Sequence, residues 1–217
     1  MSPARMISFS PEAFFSLFEQ YNRALGPAPI VAYALGLGAV ILCLRPIPEG
    51  GRIVAAILGL MWAWNGVAYH LAHLATIDFM APAFALFFVV QASLFAWTGV
   101  ARGRIRFGFR PDVFGWTGLG LAVFAMAGYP LLAWLAGHGW PRAAMFGIAP
   151  APTAIFTLGL LLTIEGRTPL HLLAIPVLWS LVGGTAAWLL AIPEDLALPL
   201  AGLGALGLAV CKNQRVL

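Results

Sequence analysis

The chain has 217 residues, of which 61% are hydrophobic and only 9% are charged. Soluble domains carry about 25% charged residues, which excludes an ordinary water-soluble core; the alternative solvent is lipid, where a crossing helix needs roughly 20 mostly apolar residues. The formal charge of +4 is not read as a nucleic-acid surface, because in so apolar a chain surplus Arg and Lys mark cytoplasmic loops.

Residues 1–27 form the first unit. Within them PEAFFSLFEQYNRAL, 11–25, predicts an amphipathic interfacial helix. Ser10 can cap it, Pro11 suits its first turn, and Gly26 stops it. Phe14, Leu17, Phe18, Tyr21 and Leu25 share one face, and Glu19 and Arg23 pair at i,i+4 on the other. Residues 28–217 then read as a single transmembrane domain of about seven apolar segments, at 28–44, 53–74, 80–101, 114–136, 149–165, 169–191 and 196–211. Short loops with Pro, Gly and charge join them, so sequential neighbours are antiparallel and pack as one bundle. The predicted fold class is an all-α polytopic transmembrane bundle preceded by the interfacial helix. The first, fifth and last segments are short for a full crossing. The fifth, opened by Pro150 and Pro152, is either a full span or re-entrant.

Charge sets the expected orientation. Arg45, Arg52, Arg102, Arg104, Arg106, Arg110, Arg167, Lys212 and Arg215 fall on one side, and Arg5, Arg23 and Arg142 on the other. The positive-inside rule puts the C-terminus in the cytoplasm and the N-terminus outside. Cys43 and Cys211 both map to inner span ends and are expected as free thiols.

The second segment carries the least bland stretch, MWAWNGVAYHLAHLATIDF, 61–79. At about 100° per residue Trp62, Asn65, Gly66, Tyr69 and His73 share one stripe, with His70 at its border. A buried amide needs partners, so the stripe is expected to face the bundle interior. Packing glue between helices is the plain reading. The sharper one is a ligand site open to the outside, walled by Asn65, Tyr69 and His73, with Tyr129, His138 and Thr153 opposite. A metal site on His70, His73 and Asp78 is the third. Ser180, Gly183, Gly184 and Thr185 read as a small-residue packing seam. The last segment has neither an internal lysine for retinal nor an HxxxH pair, and the chain has no P-loop. No motif identifies a cofactor.

Several stretches carry a family resemblance: SPEAFFSLFEQYN, WAWNGVAYH, GYPLLAWLAGH, FGIAPAPTAIFTLGLL, WSLVGGTAAWLL and PEDL. In these the chain resembles an uncharacterised bacterial multipass membrane family, catalogued as a domain of unknown function, whose members are sometimes labelled permeases. That resemblance implies an integral membrane protein. The family often has a Cys between the two prolines that open the fifth segment. Here Ala151 stands there, so no thiol role carries over. The functional expectation is a small-molecule or ion permease, or a ligand-binding membrane protein, with its polar pocket in the outer half. The alternatives are a membrane enzyme or metal-handling protein using outer His and Asp residues, and an accessory subunit. Expected partners are the lipid bilayer and a small polar ligand or ion. A second copy of the chain is one way to supply two-fold symmetry.

Overall fold

The computed structural model describes residues 9–215. The expectations for residues 1–8, Arg5 among them, lie outside the described residues. The described chain is all-helical, with one isolated antiparallel bridge, Phe107 to Ile164.

Helix α1, Pro11–Leu25, forms as the sequence predicts: the Ser10 hydroxyl accepts from the Ala13 N–H at 3.2 Å, and the chain leaves through Gly26 at φ +53°. The Glu19–Arg23 pair closes at 2.9 Å. The buried face is broader than the apolar stripe implies, adding Phe15 and Asn22 to Leu17, Phe18 and Tyr21. Helix α2, Ala28–Leu44, turns 85° from α1.

The rest follow as α3 (Gly50–Trp64), α4 (Ala81–Phe95), α5 (Val113–Val123), α6 (Tyr129–Leu135), α7 (Pro150–Leu162), α8 (Leu170–Leu190) and α9 (Ala197–Arg215). π-turns extend α3 over Asn65–Leu71 and α4 over Ala96–Ala101, and join α5 to α6 over Phe124–Gly128. Each predicted apolar segment thus contains a helix or a continuous run of helix. Five are long and apolar enough to cross a membrane: Gly50–Thr76, Ala81–Ala101, Val113–Leu135, Leu170–Leu190 and Glu194–Arg215. Taking α1 and α2 together as one bent span makes six. The remaining segment, α7, has 13 residues. At 1.5 Å per residue it is about 20 Å long, against a hydrocarbon core of about 30 Å.

α7 is the centre of the bundle. All its residues are buried, enclosed chiefly by α5, α8 and α9. Gly118 of α5 and Gly159 of α7 meet at their closest crossing, where a Cβ on either would lie 2.6 Å from the other's carbonyl oxygen. Three residues of the predicted seam on α8 face α9, Ser180 packing on Gly202, Gly183 on Leu198 and Gly184 on Pro199; Thr185 does not, being exposed with its hydroxyl on Leu181 O of its own helix at 2.8 Å. The exterior is apolar instead, with Leu86, Phe87, Trp116, Leu131, Trp134, Trp188, Leu200 and Leu203 exposed. Asn22, Asn65, His70, Gln91, Thr153 and Thr157 are buried. Large apolar side chains outside and polar ones inside are compatible with a membrane protein.

Prolines explain much of the polar interior. A proline in a helix lacks the N–H that the carbonyl four residues earlier would accept. Pro130 frees Met126 O, which accepts from the Tyr33 hydroxyl at 2.9 Å. Pro176 frees Leu172 O, which accepts from Gln91 Nε2 at 3.0 Å. In each case a side chain from another helix takes the freed carbonyl, as a water-poor interior requires.

Hydrogen bonds also gather the arginine-rich loops at one end. Phe109 N–H donates to Cys43 O at 2.8 Å, Gly108 N–H to Thr163 O at 3.0 Å, and Glu165 N–H to Arg106 O at 2.8 Å. In RGRIRFGFRPD, Ile105 and Phe107 turn inward and Arg104 and Arg106 outward. Lys212 behaves differently from its predicted role as a loop charge. It is buried, and its ammonium donates to Leu162 O at 2.9 Å and to Ile164 O. It caps the carbonyls at the C-terminus of α7, where a cation is favoured.

Candidate ligand site

At the opposite end α1 lies across the bundle. Its anchor is Tyr21, which donates to Ile148 O and accepts from Trp64 Nε1 at 3.0 Å. Burial raises the Tyr21 hydroxyl well above its ordinary range, against the smaller lowering effect of the Trp64 bond, so it stays a donor. Asn22 donates to Pro141 O at 2.6 Å and to Ala143 O at 2.8 Å. These bonds hold the irregular segment ahead of α7, which at this depth needs side-chain partners. Arg142 pairs with Glu12 at 2.7 Å, completing the clamp.

The residues singled out in the sequence separate into three neighbourhoods. Asn65 and Thr153 meet: Asn65 Nδ2 donates to Met61 O at 2.8 Å, Gly147 O at 3.2 Å and the Thr153 hydroxyl at 3.4 Å. Trp62 Nε1 adds a 2.9 Å bond to the Thr157 hydroxyl. This is a closed seam between α3 and the start of α7, with Asn65 fully buried. Tyr69 and His73 meet α1 instead. Tyr69 stacks on Phe18 at 5.2 Å and meets Tyr21 edge-on, and His73 meets Tyr21 at 4.8 Å. Tyr129 and His138 go to the corner before α9. Tyr129 donates its hydroxyl to Asp195 Oδ1, and His138 Nδ1 lies 3.2 Å from Glu194 Oε1 with Phe15 stacked on its ring at 3.9 Å.

The π-turn changes which histidine is inside. His70 is fully buried and His73 only partly, the reverse of the α-helical arithmetic. An i→i+5 turn rotates the chain less per residue and shifts the register. Each histidine uses Nδ1 on a carbonyl five residues back, Asn65 O at 2.8 Å and Ala68 O at 2.7 Å. His70, His73 and Asp78 do not converge, and the described residues contain no group of three His, Cys, Asp or Glu side chains placed for a metal.

Between the second and third neighbourhoods is a cavity of about 240 Å³. Phe9, Phe14 and Phe18 roof it, Tyr69 and Phe84 form one wall, Trp179 to Leu190 of α8 another, and Pro150 and Ala151 the floor. Asp78 and Asp195 bring carboxylates to its lining, which among the described residues includes no Lys, Arg or His. Asn65 does not line it. The cavity is aromatic and acidic where the sequence predicts a polar pocket, and of the six residues proposed for that pocket only Tyr69 lines it. Trp179 was missed because one aromatic in an apolar span carries no signal. Asp195 is among the outer Asp residues that the sequence offers for an enzyme or metal site, not for the ligand pocket, because nothing in the chain order puts it beside Tyr129.

A model of a protein family of unknown function matches residues 11–216. No curated protein and no solved structure matches the chain.

Proposed function

The chain belongs to that family, DUF6064, and on that premise we propose that it is an integral protein of the bacterial inner membrane that binds a small molecule in the cavity beneath α1, as a permease-like protein. The carrying observation is the cavity itself: partly open to the surface beside Phe79 and Met80, at the arginine-poor end, and mostly apolar with a few polar groups, the character expected of a ligand site. In this reading the arginine-rich end is cytoplasmic and α1 lies at the outer interface. Tyr69 is a wall of the site. Asn65 and Thr153 support it by holding the segment before α7, and His138 and Tyr129 by placing Glu194 and Asp195.

Filling the cavity tests the binding function. Ala186 is half-buried and lines it, so Ala186→Trp occupies the space without entering the tight core. Wild-type protein in lipid nanodiscs is expected to gain about 2.7 kcal/mol of stability at a ligand concentration a hundredfold above Kd. At about 2–4 °C per kcal/mol this is a readable rise in Tm. Ala186→Trp, folded to the same yield, is expected to lose the rise. A diverse panel of small molecules that shifts neither protein, or both equally, would overturn the assignment.

Orientation is tested by labelling intact cells with a membrane-impermeant maleimide. In a Cys43→Ala, Cys211→Ala background, Gly139→Cys is expected to react and Arg104→Cys to react only after permeabilisation. The opposite pattern would invert the topology.

A further inference from the structure

We propose that the cavity takes a small organic ammonium ion, with Asp195 as its counter-ion and Phe14, Phe18, Tyr69 and Trp179 as its aromatic walls. This rests on the binding function above and adds the chemical class. Asp195 is only 9% exposed. Its Oδ1 receives the Tyr129 hydroxyl, while Oδ2 takes no hydrogen bond from the described residues and Asp195 lines the cavity. Asp78 lines it too, with Oδ1 accepting from the Met80 N–H at 3.0 Å. Neither carboxylate has an ion-pair partner among the described residues. Of the basic groups nearby, Arg142 pairs with Glu12 and His138 with Glu194, while His70, packed behind Tyr69 and Trp179 with its Nδ1 on Asn65 O, does not line the cavity.

A carboxylate in so apolar a setting is costly unless a cation or a further donor reaches it or it takes up a proton. A bound ammonium supplies both, and aromatic faces around it add cation–π attraction that grows with desolvation. An anionic ligand would meet two carboxylates without a basic group to offset them. A phospholipid headgroup amine would bring its phosphate against the same pair, so a free amine fits better than a lipid.

The probes are benzylammonium, benzyl alcohol and benzoate, which share a ring and differ in charge. Thermal shift and calorimetry use the full chain in phosphatidylglycerol nanodiscs. Benzylammonium is expected to bind at least about tenfold more tightly than benzyl alcohol, and benzoate not to bind. Asp195→Asn is expected to remove that preference, while the conservative Asp195→Glu, which keeps a carboxylate, retains it. Equal binding of amine and alcohol would overturn the ammonium assignment and leave the cavity as a site. Failure of all three probes, with Ala186→Trp indistinguishable from wild type, would remove the binding function too. If Asp195→Asn does not fold, the charge series on wild-type protein decides alone. Nanodiscs of phosphatidylethanolamine are expected to give the same affinity. Competition there would assign the site to a headgroup and overturn the free amine. Benzylammonium binding that appears only in Arg5→Gln would make the chain's own guanidinium the occupant and overturn it as well.

Discussion

Gly159→Val is expected to leave no monodisperse folded protein after extraction, and Gly159→Ala a folded but weakened one. A Cβ at Gly159 would sit 2.6 Å from Gly118 O and 2.9 Å from Ala122 N. Both atoms belong to another helix's backbone, so no side chain can swing away. Overpacking of this kind costs about 1–3 kcal/mol for small additions, and valine adds two further carbons. Gly118→Ala is expected to match Gly159→Ala, since the two residues share one crossing. Gly120 is the control: a Cβ there meets nothing within 4 Å, and alanine favours helix by up to about 1 kcal/mol. Thermal denaturation of the three alanine variants reads the difference. Equal stability for Gly120→Ala and Gly159→Ala would refute the close crossing.

Gln91→Leu is the second large effect, and its rescue is more telling than its cost. The substitution leaves Leu172 O buried with no donor, which costs about 1–3 kcal/mol. Pro176→Ala restores an N–H in position to take that carbonyl. The double variant is therefore expected to be more stable than Gln91→Leu alone, with a coupling of about 0.5–3 kcal/mol in the double-mutant cycle. Strict additivity would mean that Gln91 serves some purpose other than replacing the bond that Pro176 removes.

That pair illustrates what the sequence withholds. Gln91 and Pro176 are 85 positions apart, and neither residue alone says that one repairs the other. The prolines are visible as helix breakers, but their repair by Tyr33 and Gln91 depends on which helices are neighbours. Local features read well: the Ser10 cap, the Glu19–Arg23 pair and the apolar segments all depend on residues within a few positions. The stripe on α3 was legible as far as Tyr69, with Trp62, Asn65, Gly66 and Tyr69 all buried. Beyond it the π-turn moved His70 inside and His73 towards the surface. A π-turn is stabilised by tertiary packing, and an apolar sequence does not announce it. Thr153 opposite Asn65 was foreseen. The cavity was not, because its walls are Phe, Ala and Trp, which look the same whether they fill a core or line a space.

The enclosed α7 has a consequence for how such a chain is made. During synthesis α7 emerges before α8 and α9, the two helices that cover much of it. Its C-terminal carbonyls wait for Lys212, about fifty residues downstream. At about 20 Å it is too short to rest across a bilayer alone. The central helix is therefore settled last, although it comes fifth among the apolar segments. A nascent chain halted before α9 would hold its core helix without its wall or its cap, which makes the final turn of α9 the point at which membrane insertion becomes a finished fold.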